Sequence, residues 1–183
     1  MRPTMIRSTA SALIFLGVPG CGQPFWNPPP APPPEVTPAP ESAEAITSIY
    51  LTRTACLGTC PHYHLLFKAD GTAYYVGVTN APRAGTYVSS LSPVVFQALA
   101  QALVRNGFFS HATDLPSALD APATIVRVNV ADPQARAKTV GGFFPDYHYL
   151  WPLARSLDSL ADGLPWRLVT PDTVPPPDYL GAG

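Results

Sequence analysis

The residues best suited to chemistry lie within nine positions of one another: Cys56, Cys60, His62 and His64. Two cysteines four positions apart in an exported protein are expected to form a disulfide bond. The loop that this bond closes is short, so the stabilisation expected from unfolded-chain entropy is only about 2 kcal/mol. Gly58 lies at the middle of the loop and favours a tight bend. The leading interpretation is a structural disulfide that fixes the turn before a strand.

Two alternative interpretations of the same residues remain open. As thiolates, Cys56 and Cys60 would serve a periplasmic copper-binding or thiol-redox factor. Their three-residue gap differs from the two-residue gap of common thioredoxin-type motifs, and a hairpin follows them instead of a helix. Together with His62 and His64 they have the ligand types of a zinc site, although all four ligands would come from one short stretch. The leading interpretation includes no cofactor and no metal.

No motif typical of an enzyme occurs in the sequence. It contains no nucleophile elbow, no His-Glu-x-x-His and no glycine-rich phosphate loop. His111 and His148 are isolated in the sequence. Three aspartates fall where turns or helix caps explain them: Asp114, Asp120 and Asp146. We therefore expect a protein that is not an enzyme.

The N-terminal residues have the order of an export signal. Arg2 and Arg7 precede an apolar segment, residues 10–18, which is too short to span a bilayer. The residues that lead to Cys21 resemble the lipobox at which bacterial lipoproteins are cleaved and lipidated. We therefore predict a lipoprotein signal peptide at residues 1–20, lipidation of Cys21, and a membrane anchor on the periplasmic side of the outer membrane. Lipidation of one of the three cysteines leaves two for the disulfide.

Composition separates the flanking segments from a folded middle. The 24 prolines cluster near both ends, which predicts a proline-rich disordered linker at residues 21–45 and a proline-rich disordered tail at residues 169–183. The folded domain is predicted at residues 46–168. A formal net charge of −1 and the lack of a basic stripe argue against nucleic acid as a partner. The expected partners are the membrane, through the anchor, and a protein of the cell envelope.

The pattern of the middle segment predicts an α+β fold, in which an antiparallel sheet carries two helices on one face. Residues 62–68 and 72–78 are predicted strands that follow a first strand near Ile46. A helix after Ser92 comes next, then two strands, then a helix that starts at Pro152. The predicted order of elements is therefore β-β-β-α-β-β-α.

The dipeptide Asp70-Gly71 predicts a β-hairpin in either of two registers. A two-residue loop pairs Phe67 with Tyr74, and the apolar content of the resulting face favours this register. A three-residue loop pairs Phe67 with Ala73 instead.

One face of the second strand carries His62, His64 and Lys68, because successive side chains of a strand point to opposite sides. The other face carries Tyr63 and Leu65, and we expect the helices to cover it. The polar face is therefore the predicted binding surface for a partner.

The chain resembles a bacterial family catalogued as domain of unknown function 6438. The resemblance covers about residues 46–166 and depends on the pattern Arg-Thr-x-Cys-x-Gly-x-Cys-Pro-x-Tyr, followed by Asp-Gly and Tyr-x-Gly. These positions are Arg53, Thr54, Cys56, Gly58, Cys60, Pro61, Tyr63, Asp70, Gly71, Tyr75 and Gly77. The resemblance implies a domain that often follows a lipoprotein signal, and its Tyr-x-Gly spacing favours the three-residue hairpin loop. It implies no activity.

Overall fold

The computed structural model describes residues 42–111, 121–131, 137–143 and 148–174. The predicted signal peptide, Cys21 and nearly all of the predicted linker precede these residues, and much of the predicted tail follows them. Those predictions lie outside the described residues. No helix in the described part of the chain combines the length and the apolarity needed to cross a membrane.

The described residues form one seven-stranded sheet in which all neighbouring strands are antiparallel. The strands are β1 (Ile46–Arg53), β2 (His62–Lys68), β3 (Thr72–Thr79), β4 (Gly85–Ser90), β5 (Ala123–Val130), β6 (Lys138–Phe143) and β7 (Arg167–Thr170). Their order across the sheet is β6-β5-β1-β2-β3-β4-β7. The α+β class is therefore confirmed.

The prediction of five strands is wrong, because the sheet also contains β4 and β7. Strand β7 has only four residues, and it pairs with β4 across a long sequence separation, for example Thr86 with Thr170. A strand that depends on such a distant partner leaves a weak local signal. The predicted domain end at residue 168 falls inside β7.

Two helices complete the fold, α1 (Pro93–Arg105) and α2 (Leu150–Gly163). Helix α1 begins after Ser92 as predicted. Helix α2 starts two residues before the predicted start at Pro152. The proline is accommodated because the N–H groups of a first helical turn have no acceptor within the helix. The burial of Leu150 in the core favours the earlier start.

The helices pack on a single face of the sheet, as predicted. One core cluster joins the helix residues Phe96, Ala100, Leu103, Ala154 and Leu157 to the strand residues Ile49, Leu51, Leu65, Phe67, Val126 and Val128. Side chains of β1 alternate between the two faces, so Arg53 lies on the same side as Ile49 and Leu51. A charged residue therefore ends the apolar face of this strand.

The β2–β3 hairpin has the three-residue loop, and the two-residue loop favoured by apolar content is wrong. Phe67 pairs with Ala73, and the loop closes with a hydrogen bond from Gly71 N to Lys68 O. Gly71 has a φ of +87°, which an L side chain rarely adopts. Backbone conformation at this glycine therefore decided the register, in agreement with the spacing of Tyr75 and Gly77.

Gly77 lies in β3 where another segment of backbone passes close to the strand. A Cβ atom added to it would lie 1.6 Å from Arg83 O and 2.8 Å from Arg83 C. Backbone atoms cannot move aside as the end of a flexible side chain can. This position of the family pattern is therefore restricted to glycine by contact and not by its φ.

We predict that Gly77→Ala lowers the free energy of unfolding by about 3 kcal/mol, because the added methyl group displaces the backbone at Arg83. Urea unfolding of the full chain, followed by tryptophan fluorescence, measures this loss. Gly163→Ala is the matched control, since nothing lies within 4 Å of its added Cβ. Equal stability of the two variants would contradict the contact at Gly77.

Candidate binding site beside the disulfide loop

Cys56 and Cys60 form a disulfide bond, as predicted. Their Cα atoms are 5.5 Å apart, and the bond closes a turn that leads directly into β2. Gly58 N donates a hydrogen bond to Cys56 Sγ at 3.3 Å inside this turn. We call residues 56–60 the disulfide loop. The bond fits the structural role, because it fixes the geometry at the entrance to the hairpin.

A cavity of about 450 Å³ lies beside the disulfide loop, and we call it the loop cavity. Five of its ten lining residues belong to the family pattern, namely Arg53, Thr54, Cys60, Pro61 and Tyr63. The others come from the start of β5 and from α2: Pro122, Ala123, Thr124, Trp151 and Asp158. The cavity therefore lies where the disulfide loop, the sheet and the second helix meet, and its volume is typical of small-molecule and side-chain pockets.

An ion pair forms the polar wall of the loop cavity. The Arg53 guanidinium donates to Asp158 Oδ2 at 2.6 Å and also to the Thr124 hydroxyl. The Tyr63 hydroxyl donates to the other oxygen, Asp158 Oδ1, at 2.7 Å. Only 12% of the Arg53 side chain and 25% of the Asp158 side chain are exposed. The arginine on the apolar face of β1 is thus neutralised by a carboxylate from α2.

The same contacts change the acidity of Tyr63. Burial raises the pKa of its hydroxyl, and the hydrogen bond to the Asp158 carboxylate raises that pKa further. Tyr63 is therefore protonated at neutral pH, as its role as a hydrogen-bond donor to Asp158 requires.

Trp151 forms the outer part of the cavity wall. It lies seven residues before Asp158 in α2, so both side chains are on the same side of the helix. The Arg53 guanidinium carbon lies 4.9 Å from the centre of the Trp151 ring, in cation–π geometry. Arg53 therefore contacts α2 twice, through a cation–π interaction with Trp151 and an ion pair with Asp158.

Thr54 attaches the start of the disulfide loop to β5. Thr54 N donates to Ala123 O at 3.0 Å, and Ala123 N donates to the Thr54 hydroxyl at 2.8 Å. This reciprocal pair extends the β1–β5 ladder by one residue. It fixes the two strand ends at the edge of the loop cavity, since Thr54 and Ala123 both line it.

The predicted binding surface of His62, His64 and Lys68 lies on the opposite face of the sheet, away from the loop cavity. His64 Nδ1 and the Thr52 hydroxyl are 3.0 Å apart, and the two histidine rings are in edge contact at 5.1 Å. Lys68 pairs with Asp70 at 3.5 Å. We call the sheet face that carries His62, His64 and Lys68 the histidine face. The structure therefore separates the predicted surface from the residues of the disulfide loop.

The structure does not bring together the four ligands of the zinc alternative. Cys56 and Cys60 are bonded to each other, and His62 and His64 lie on the histidine face. Within the described ranges, no group of three or more His, Cys, Asp or Glu residues is placed to hold a metal ion.

Sequence reasoning missed Asp158, Trp151 and Thr124 as site residues. One signal was available, because Arg53 shares its strand face with buried apolar residues and a buried charge requires a partner. The identity of the partner was not readable, since 105 positions separate Arg53 from Asp158.

Tyr75 lies behind Tyr63 and differs from it in one respect. The two rings stack at 5.5 Å between centres. The Tyr75 hydroxyl is buried, and its contact with the backbone of Arg83 lacks the geometry of a full hydrogen bond, so no described residue satisfies it. Burial raises the pKa of Tyr75 to about 12. The two stacked tyrosines therefore offer a matched pair, one with a bonded hydroxyl and one without.

A family model described as "Domain of unknown function (DUF6438)" matches residues 47–158. This interval contains all ten residues that line the loop cavity and ends at Asp158. No curated protein matches the chain.

We predict opposite effects for removal of the two hydroxyl groups. Tyr63→Phe leaves a buried lone pair on Asp158 without its donor, so the free energy of unfolding falls by about 1–2 kcal/mol. Tyr75→Phe removes a buried hydroxyl that has no partner, so stability is unchanged or rises by up to about 1 kcal/mol. Urea unfolding of both variants tests this. A larger loss for Tyr75→Phe than for Tyr63→Phe would contradict the assigned hydrogen bonds.

We predict that stability falls as the pH is lowered from about 6.5 towards 4, in part through His64. Burial and the neighbouring His62 lower the pKa of His64 from 6.5 to about 4. Between these values the unfolded chain binds a proton that the folded protein does not, so acidification favours unfolding. Because the ring is partly solvated, we expect a loss on the order of 1–2 kcal/mol between pH 7 and pH 5.

Urea unfolding at both pH values measures this loss. His64→Gln should reduce it, whereas Lys68→Gln on the same face should not, since lysine does not titrate in this range. An unchanged loss in the His64→Gln variant would show that other groups cause it.

Proposed function

Because the chain belongs to the DUF6438 family, which is described as a domain of unknown function, its role has to be inferred from its site. We propose that it is a non-enzymatic binding domain of the bacterial cell envelope, anchored to the membrane through lipid on Cys21. The observation that carries the binding function is the loop cavity, whose lining combines residues of the family pattern with residues from α2. The anchor is inferred from the N-terminal sequence that leads to Cys21.

The polar lining of the loop cavity supports binding better than catalysis. Arg53 is bonded to Asp158 and Thr124, and the Tyr63 hydroxyl is also bonded to Asp158. Polar side chains that are hydrogen-bonded to one another are held in a fixed arrangement, and they do not require a charged ligand to neutralise them. The walls beside them are apolar and include Pro61 and Trp151. This arrangement suits an uncharged, mainly apolar group of a partner.

The rim of the loop cavity also fits a contact surface. Trp151, which lines the cavity, is 36% exposed, and Leu57, three residues before Cys60 in the adjoining disulfide loop, is 85% exposed. Large apolar side chains at the edge of a cavity are typical of binding sites. The histidine face, with His62, His64 and Lys68, is a second candidate surface for a partner.

A periplasmic copper-binding or thiol-redox function is the second candidate. It is favoured by one observation, that Cys60 borders the loop cavity, so reduction would place a thiol there. This function requires free thiols or bound metal in protein purified from the envelope without reductant. The proposed binding domain requires the Cys56–Cys60 bond to be intact in the same sample.

The experiment combines fractionation with photo-crosslinking of the full chain in bacterial cells. We expect Cys21→Ser to move the protein from the membrane fraction to the soluble fraction. With p-benzoylphenylalanine in place of Leu57, we expect a discrete crosslinked product after irradiation. The same group at Val94, which is 78% exposed on α1, is the matched control and should give none.

Trp151→Ala should weaken the crosslinked product at position 57, because it removes one wall of the loop cavity. The proposal fails if position 94 gives the same product as position 57, or if Cys21→Ser stays in the membrane fraction. The same group is also placed at His62 and at Lys68. A crosslinked product at these two positions, with none at position 57, would assign the binding site to the histidine face.

A further inference from the structure

We propose that the loop cavity receives Leu57 of a second copy of this chain, so that two copies form a symmetric dimer. The proposal rests on the proposed binding function and names the partner. Each copy would insert its disulfide loop into the loop cavity of the other.

Leu57 has the properties of an inserting side chain. It is the most exposed large apolar residue of the described chain, at 85%. It follows Cys56 directly, and the bond from Cys56 to Cys60 fixes the backbone on both sides of it. A side chain on a covalently closed loop loses little further conformational freedom when it binds. A single exposed leucine is common on protein surfaces, so insertion also requires a cavity that suits it.

The loop cavity has the chemistry to receive a leucine. Its charged groups, Arg53 and Asp158, are already paired at 2.6 Å, so an apolar occupant leaves neither of them without a partner. The remaining walls include Pro61, Pro122 and the Trp151 ring. A volume of about 450 Å³ accommodates a leucine side chain together with part of the loop that carries it.

Leu57 and the loop cavity are neighbours on one molecule. Cys60 and Pro61 line the cavity, and Leu57 lies three residues before Cys60 and directly after Cys56, to which Cys60 is bonded. An inserting group and a receiving site on one surface are the requirement for a two-fold symmetric interface, in which each contact occurs twice. A heterologous partner would need only one of the two features.

The net charge of the chain does not oppose self-association, and the proposed lipid anchor would assist it. The formal net charge of −1 gives two copies little reason to repel each other. If Cys21 holds the chains on one membrane, their encounter takes place at a high effective concentration, so weak contacts are sufficient.

Sedimentation velocity of the full mature chain tests the proposal, with Cys21→Ser in all variants to keep the protein free of lipid. We expect a monomer–dimer equilibrium that depends on concentration. Leu57→Asp should weaken dimerisation at least tenfold, because it places a carboxylate in an apolar cavity. Val94→Asp, a charge at a similarly exposed apolar position on α1, should leave the equilibrium unchanged. Circular dichroism melting confirms that both variants are folded.

A second measurement identifies the contact. Leu57→Cys protein is mixed with Trp151→Cys protein and oxidised. We expect a disulfide-linked heterodimer, formed faster than in a mixture of Leu57→Cys with Val94→Cys. A wild-type chain that is monomeric at all concentrations, or equal dimerisation of Leu57→Asp and wild type, would overturn the proposal.

The same results separate this inference from the proposed function. Photo-crosslinks from position 57 with the mass of two chains support the dimer. Crosslinks to a different protein, together with a monomeric purified chain, would overturn the dimer and leave the binding function in place. The absence of both would overturn both.

Discussion

The ion pair between Arg53 and Asp158 is the interaction on which the rest of the site depends. Arg53 ends the apolar face of β1, where an unpaired charge would be costly. Asp158 supplies the opposite charge from α2 and also accepts a hydrogen bond from Tyr63. The helix is therefore held against the strand ends that flank the disulfide loop. The loop cavity is the space left between these elements, and Trp151 closes part of it because the same arginine lies against its ring.

The disulfide and the ion pair have separate tasks in this arrangement. The bond between Cys56 and Cys60 is local, and it fixes one turn whose ends are already close in sequence. The ion pair is non-local, and it positions a helix relative to the sheet. Both act at the same end of β1, where the first part of the family pattern, from Arg53 to Tyr63, is located. The histidine face has no part in this junction, because none of His62, His64 and Lys68 lines the loop cavity.

The hairpin shows where a pattern of apolar residues fails to decide between structures. Two registers placed the same β2 residues on the same face and differed in the residues of β3 that oppose them. The structure has Phe67 opposite Ala73, because the loop is closed through Gly71 with a positive φ. Gly77 is required for a different reason, because the backbone at Arg83 passes too close to β3 for any side chain at this position. Steric limits of the backbone therefore outweighed the count of apolar side chains.

The sequence by itself determined the features that depend on short spacings. It predicted the Cys56–Cys60 pair, the start of α1 after Ser92 and the alternation that places His62, His64 and Lys68 on one face of β2. Each of these follows from local stereochemistry, which is readable within a few residues. Only the tertiary structure decided the strand β7 and the pairing of Arg53 with Asp158, because their partners lie about 80 or more positions away. Contacts at that distance are selected by the packing of the whole domain, and no local pattern specifies them.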